Sequence, residues 1–100
     1  MNQMQQMLAN AQRMQRNLEK ANAEIRAKEY SVSKNGMVDL IMMGDRSVKS
    51  LKIDKEAFDP ENQELIEETI ALALSEALAQ IDKDYNEAEE KITGQRGGLF

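Results

Sequence analysis

The chain contains no cysteine and no histidine, so the thiolate nucleophile, the usual proton shuttle near neutral pH and two common metal ligands are missing. Carboxylate or lysine chemistry would still be possible. The acidic residues, however, fall on predicted solvent-facing helix surfaces and do not converge on a pocket from several loops. We therefore expect a protein that is not an enzyme and that uses no metal, no cofactor and no small-molecule substrate.

Aromatic residues and long apolar runs are also scarce. Tyr30, Phe58, Tyr85 and Phe100 are the only aromatic residues, too few for a surface that stacks single-stranded nucleic acid. No run of about 18 uncharged apolar residues occurs, and the chain opens on a glutamine-rich segment without a basic stretch and leucine block. The sequence predicts no membrane span and no signal peptide, and hence a cytoplasmic protein.

Helical periodicity is clear in the first part of the chain. Apolar residues recur there at alternating spacings of three and four, the a and d positions of a heptad. They are Met4, Met7, Ala11, Met14, Leu18, Ala21 and Ile25. The pattern predicts an amphipathic helix over about residues 2–27. Its e and g positions are mostly uncharged, which favours packing of this seam against the other helix or the sheet over a separate coiled coil.

After Lys28 the period changes to two, which is typical of strands. Tyr30 and Val32 alternate with serines, and Asn35-Gly36 is a strong signal for a tight hairpin. The next strand has two different faces, one with Val38, Leu40 and Met42, the other with Met37, Asp39, Ile41 and Met43. Because the second face carries one charge only, we expect it to be partly covered as well.

A third strand is predicted over Ser47 to Ile53, with Leu51 and Ile53 pointing inward. Val48 falls out of this alternation by one residue. Either a bulge or a late start of the strand near Lys49 would accommodate it.

The last long element begins at Asp59-Pro60, where aspartate can cap a helix and proline suits its first position. Apolar residues then recur every three or four positions, and Gly94 follows Thr93 as a predicted C-terminal cap. The sequence thus predicts one α+β domain over residues 1–94, a long helix, a three-stranded antiparallel meander and a second long helix. Residues 95–100 read as a flexible tail.

The predicted helices are too long for one small globule. The second would measure about 48 Å, whereas a compact chain of this length has a diameter of about 34 Å. Its apolar stripe is also wider than one small sheet can cover, which favours a two-fold homodimer with projecting helical arms. The alternative is that its alanines simply face solvent. The interface residues that we expect are Leu72, Leu78, Ile41 and Met43.

Charge is unevenly distributed along this acidic chain, whose net charge is −5. Residues 1–28 carry +3, whereas residues 54–92 carry −10. Arg13, Arg16 and Lys20 are spaced so that they form a stripe roughly opposite the apolar seam of the first helix. Three interpretations of the stripe are open: ordinary surface charge, pairing across subunits with Glu67, Glu68 or Glu76, or contact with DNA phosphates without base readout.

The order of elements, together with several local strings, resembles the YbaB/EbfC family of nucleoid-associated proteins. The strings are the Met- and Gln-rich MNQMQQMLANAQRMQRNLEKANAEI, the alternation from Gly36 to Gly44, the strand end Leu51-Lys52-Ile53-Asp54, and ENQELIEETIALALSEALAQI. The resemblance implies a cytoplasmic bacterial protein associated with the nucleoid, a tweezer-like homodimer that binds double-stranded DNA with little sequence preference. Roles in chromosome organisation, gene regulation or repair would follow.

The resemblance supplies no motif for DNA contacts. We chose Arg13, Arg16, Lys20 and Arg26 from the charge pattern alone. Ile41 and Met43 are apolar where relatives are usually more polar, and this difference could enlarge an interface. The competing hypothesis is a protein-binding adaptor or holdase-like chaperone, in which methionines and overhanging arms grip apolar partners and DNA has no part.

Overall fold

The computed structural model describes residues 2–94 and has the predicted α+β architecture. Its main elements are α1 (Gln3–Arg26), β1 (Glu29–Lys34), β2 (Val38–Met43), β3 (Val48–Ile53) and α2 (Gln63–Thr93). The strands form one antiparallel sheet in the order β1-β2-β3. The predicted order of helix, meander and helix is confirmed. The predicted tail at 95–100 lies outside the described residues.

Local signals set the ends of α1. The Asn2 side chain accepts a hydrogen bond from the Gln5 backbone amide at 2.8 Å, and the Gln5 side chain accepts one from the Asn2 amide, so two free amides are satisfied reciprocally. No residue of α1 is fully buried. The seam therefore makes only partial contact within the chain, at Met14 and at Leu18, Ala21 and Ile25.

The predicted hairpin turn is present between β1 and β2. Asn35 and Gly36 both have positive φ, 56° and 61°, the backbone geometry that matches the twist of two antiparallel strands. Tyr30, Val32 and their neighbours on β2 consequently share one face of the sheet, where they are buried.

A bulge in β3 resolves the irregular position of Val48. Ile41 pairs with Ser50 but Met42 pairs with Val48, so one residue of β3 is extra. The bulge returns Val48 to the face that carries Leu51 and Ile53. Both of these lie on the core face as predicted, opposite Leu40 and Val38. Leu51 nevertheless stays 44% exposed.

α2 begins later than a helix capped by Asp59 would require. The Asp59 carboxylate does accept a hydrogen bond from the Glu61 amide at 2.9 Å, but Pro60–Asn62 forms a 3-10 turn and the α-helix starts at Gln63. The helix ends as predicted, with Gly94 in the left-handed conformation. Within residues 2–94, no helix combines the length and hydropathy that a membrane crossing requires.

The core lies between α2 and the sheet. One face of α2 is buried on the inner faces of β1 and β2, which supply Tyr30, Val32, Val38, Leu40 and Met42. Its contact residues include Ala73 and Ala77, whose small side chains let the helix axis approach the sheet closely. β3 lies beyond this contact, and its inner face is left partly open.

The molecule is long and thin. Its radius of gyration is 19.4 Å, against about 13 Å for a compact chain of this length. The extents are 70, 25 and 14 Å, so the shortest dimension is no more than one helix on one sheet. One chain alone cannot enclose its apolar surface.

Candidate nucleic-acid interface

The four predicted DNA-binding residues all lie exposed on α1. Arg13, Arg16 and Lys20 form a line about 10 Å long on one side of the helix, because residues three and four apart are neighbours on its surface. Arg26 follows Lys20 by six residues and is therefore rotated by about 120° around the helix axis. The structure thus forms a stripe of three cations, and Arg26 stands apart from it near the sheet.

None of these four cations is engaged by an acidic group within the described part of the chain. Arg13 donates a hydrogen bond to the Asn10 side chain at 3.2 Å, a neutral and exposed partner. Glu19, which is close in sequence, accepts from Gln15 at 3.5 Å. The guanidinium and ammonium groups of the stripe are therefore available to a ligand.

Most cations of the sheet and its turns are used differently, because all of them except Lys52 are paired with a carboxylate of the same chain. Lys34 pairs with Glu76, and Lys49 pairs with Glu29 at 2.6 Å. Of the acids that could have paired with the stripe, Glu76 is thus engaged by Lys34, and Glu67 accepts from the side-chain amide of Gln63 at 3.4 Å. We call α1 the arm; four of the seven cations without an acidic partner in residues 2–94 lie on it, and the other three are Lys52, Lys55 and Lys91.

Asp84 fixes α2 to the root of the arm. Its carboxylate accepts from the Lys28 ammonium at 2.8 Å and from the Tyr30 hydroxyl at 2.5 Å, on the same oxygen. The hydrogen bond from Lys28, and to a lesser extent the one from Tyr30, holds the pKa of Asp84 below its ordinary value. Burial and the facing carboxylate of Asp84 raise the pKa of Tyr30. Because Lys28 directly follows α1, this cluster helps to set the direction of the arm.

A second cluster joins α2 to the turn between β2 and β3. Arg46 donates to Asp82 at 2.7 Å, which raises the pKa of Arg46, and its guanidinium lies 5.2 Å from the centre of the Tyr85 ring. The Tyr85 hydroxyl donates to the Gly44 carbonyl at 2.9 Å. Sequence reasoning missed both clusters, since no local pattern relates residues that are tens of positions apart.

The inner half of the heptad seam packs against α2 as predicted, whereas the outer half of α1 has no partner within residues 2–94. Met4 is 77% exposed, Met7 69% and Leu8 62%. The seam packs against α2 only further along, where Ala21 and Ile25 share a groove with Ala88 and Ile92. The helices run antiparallel, and α1 extends beyond Thr93, the last residue of α2, so no element within residues 2–94 reaches its first three turns.

The residues predicted for a dimer interface lie on three different surfaces. Leu72 and Leu78 fall on opposite flanks of α2, since one precedes the buried Ala73 and the other follows the buried Ala77. Ile41 and Met43 are half-buried on the outer face of the sheet. A single contact patch cannot contain all four.

An apolar surface that the sequence did not reveal lies between α2 and β3. The Arg46–Asp82 and Tyr85–Gly44 contacts turn the Leu78 flank of α2 towards β3, where Val48 is 51% exposed. We call this surface the α2–β3 shelf. It comprises Leu74, Leu78, Val48, Leu51 and Ile53. The hydrophobic pattern of β3 indicated which face of the strand points inward. It did not indicate that α2 would leave this inner face exposed.

Comparison with known proteins identifies the family. The model of the YbaB/EbfC DNA-binding family matches residues 1–96. A nucleoid-associated protein of Metamycoplasma arthritidis is 36% identical over 88 residues, which is 88% of this chain and 92% of that protein. One from Streptococcus sanguinis is 38% identical over 96 residues, 95% of this chain and 93% of that protein. The chain belongs to the YbaB/EbfC DNA-binding family.

Proposed function

We propose that this protein binds double-stranded DNA as a homodimer, through the arms, with little sequence preference, and that it acts in the nucleoid of the bacterial cytoplasm. Chromosome organisation, gene regulation or repair are the processes that such binding would serve. We also infer that it is not an enzyme.

The observation that carries the proposal is the unpaired stripe of Arg13, Arg16 and Lys20. Lysine and arginine on a phosphate backbone release condensed counterions, and this term supplies nearly all of nonspecific binding. The stripe projects from one side of a bare helix, so a duplex can approach it without meeting the acidic surface of α2. The contacts would position the duplex but read no base edges, which is why we expect little sequence preference.

The α2–β3 shelf is the surface that supports pairing. Val48 and Leu51 are each about half exposed beside the half-buried Leu74 and Leu78, and a second copy would cover all four. Burying a fully exposed side chain of this size contributes roughly 1.5–3 kcal/mol, so covering a half-exposed one contributes about half of that before the costs of association. Two-fold pairing would present two stripes to one duplex. Of the interface residues predicted from the sequence, this arrangement retains Leu78.

A gel shift on a duplex of arbitrary sequence tests the site. Reversal of Arg13, Arg16 and Lys20 to glutamate should abolish the shift while sedimentation shows an unchanged oligomer. The matched control reverses Lys52, Lys55 and Lys91, which are exposed and have no acidic partner among residues 2–94. It changes the net charge equally and should retain most of the binding. Equal losses in both variants would refute the choice of site.

One observation favours the competing hypothesis of an adaptor or holdase-like module. Met4 and Met7 are exposed on the arm, and methionine is adaptable at promiscuous surfaces. If this hypothesis is correct, the protein suppresses the aggregation of an unfolded client and retains no DNA at low salt. Replacing both methionines by glutamine would then abolish suppression. If the DNA-binding proposal is correct instead, the same replacement leaves DNA binding through the stripe intact.

A further inference from the structure

Among residues 2–94, two helix faces outside the shelf and the stripe have no partner. The first, the arm seam, consists of Met4, Met7, Leu8 and Ala11 on the outer half of α1. The second, the leucine stripe, consists of Leu65 and Leu72 on the flank of α2 away from the shelf, and Leu72 is 58% exposed. Exposed apolar side chains that cluster on a helix face in this way indicate a binding surface.

The two faces cannot meet within one chain. α1 packs against α2 near Ala88 and Ile92, and the arm continues beyond the C-terminal end of α2. Leu72 lies about 24 Å from Ala88 along α2, in the opposite direction. No other element within residues 2–94 covers either face, so we look for the occupant in another molecule.

Charge decides which occupant fits. Residues 2–18 of the arm hold two basic residues and no acidic one. Residues 60–76, which carry the leucine stripe, hold five acidic residues and no basic one. Two arms would repel each other, and so would two leucine stripes. Of these three contacts, only that of an arm with a leucine stripe brings opposite charges together, and at an ionic strength of about 0.01 M the Debye length of roughly 30 Å exceeds the distance across the two helices.

The spacing of the apolar residues also matches. Met4 and Ala11 are seven residues apart, as are Leu65 and Leu72, so each pair spans about 10 Å on one side of its helix. We propose that the arm seam of one copy docks on the leucine stripe of a second copy. The cations at Arg13, Arg16 and Lys20 lie on the opposite side of α1, so they remain free during this contact.

The contact joins two different surfaces, which makes it heterologous and able to continue from copy to copy. Each face is small compared with the roughly 800 Å² per partner of a stable interface, so the association is weak by itself. It does not depend on DNA binding or on the shelf. If the shelf pairs two copies, this second contact links such pairs into larger assemblies.

Sedimentation velocity at low salt tests the proposal, over about 5 to 500 µM protein. The wild-type protein should form species larger than its smallest one, in proportions that rise with concentration. Met7→Glu, which places a carboxylate against the acidic leucine stripe, and Leu72→Lys, which places an ammonium against the basic arm, should each raise the dissociation constant at least about tenfold. Both positions are exposed, and circular dichroism checks that each variant folds.

Mixing the two variants gives the specific readout. The Met7→Glu arm then meets the Leu72→Lys stripe, while the other arm and stripe are wild type, so association should return. The controls Gln6→Glu and Gln80→Lys introduce the same charges on exposed positions beside these faces and should raise the dissociation constant by less than about threefold.

Three results would overturn the proposal. The wild-type protein could keep a constant size at all concentrations, the control substitutions could raise the dissociation constant as much as Met7→Glu and Leu72→Lys do, or the mixture of the two variants could fail to associate. The gel shift is measured separately on the same variants. A failure of the proposed docking is therefore distinguishable from a failure of DNA binding.

Discussion

Gly44 lies against the backbone of Ile25, so close that a Cβ atom on Gly44 would overlap the Ile25 carbonyl group. The Gly44 amide donates to the Lys28 carbonyl at 2.9 Å, which ties the end of β2 to the segment after α1. Because the obstacle is backbone and not a flexible side chain, it cannot move aside without displacing α1. This contact and the Asp84 cluster together set where the arm leaves the sheet.

Gly44→Ala should therefore destabilise the fold by about 3 kcal/mol or more, at the upper end of what overpacking costs, because the added methyl group displaces α1. Urea unfolding followed by circular dichroism measures the loss. Gly36→Ala is the matched control, since a Cβ there meets nothing within 4 Å and the only cost is its positive φ, on the order of 1 kcal/mol. Equal losses would show that the contact with Ile25 is not tight.

The Asp84 cluster predicts an acid-sensitive contribution to stability. Its pKa is lowered in the folded protein by Lys28 and Tyr30, so the contribution is full above the unfolded pKa of 3.8 and is lost as pH falls through the lower folded pKa. Asp84→Asn should reduce the free energy of unfolding at neutral pH by about 1–2 kcal/mol, because an amide binds the ammonium group of Lys28 less strongly.

Thermal unfolding measured from roughly pH 6 down to pH 2 checks the sign. The difference between wild type and Asp84→Asn should be largest at the neutral end and should shrink towards the acidic end. A difference that is constant across this range would mean that the carboxylate charge does not contribute.

Salt dependence tests how many cations touch DNA. If all four predicted residues contact phosphates in both subunits, there are about eight contacts, and the affinity should fall with salt at a log–log slope near −7; if only the stripe of Arg13, Arg16 and Lys20 does, there are about six contacts and the slope is near −5. Arg16→Ala should reduce the steepness of the slope by about 2, since it removes one contact from each subunit. Titrations at several salt concentrations supply the slopes.

Arg26→Ala should change that slope by less than Arg16→Ala. Arg26 is rotated by about 120° from the stripe, and a straight duplex follows one side of a straight helix. If Arg26→Ala has the larger effect, the duplex lies near the sheet and not along the arm.

If two copies pair through the α2–β3 shelf, a charged residue at Leu51 should weaken the dimer. Leu51→Asp places a charge in the centre of the proposed interface and should raise the dimer dissociation constant about a hundredfold or more, which corresponds to about 3 kcal/mol. Size-exclusion chromatography at micromolar concentration would then show a monomer. Ile41→Asp, on the outer face of the same sheet, is the control and should leave the dimer intact. The opposite result would return the interface to the outer face that the sequence suggested.

The sequence was sufficient for elements whose signals are local. The Met4 to Ile25 heptad defines α1, Asn35-Gly36 defines the hairpin, and Gly94 marks the end of α2. In each case neighbouring residues carry the backbone preference, so periodicity and capping chemistry are enough. Only the start of α2 was misplaced, because a 3-10 turn at Pro60–Asn62 gives the same capping signal as an α-helix.

The tertiary structure alone decided which apolar faces are covered. The sequence makes Leu51 inward and Met4 part of a seam, but exposure depends on where α2 crosses the sheet and where it ends beside α1. The sequence likewise could not distinguish the cations without an acidic partner, Arg13 and Arg16, from paired ones such as Lys34. Ion pairs join residues that only the fold brings together. Neighbouring residues determine the local backbone conformation, whereas the burial of apolar faces and the formation of ion pairs depend on how the whole chain packs.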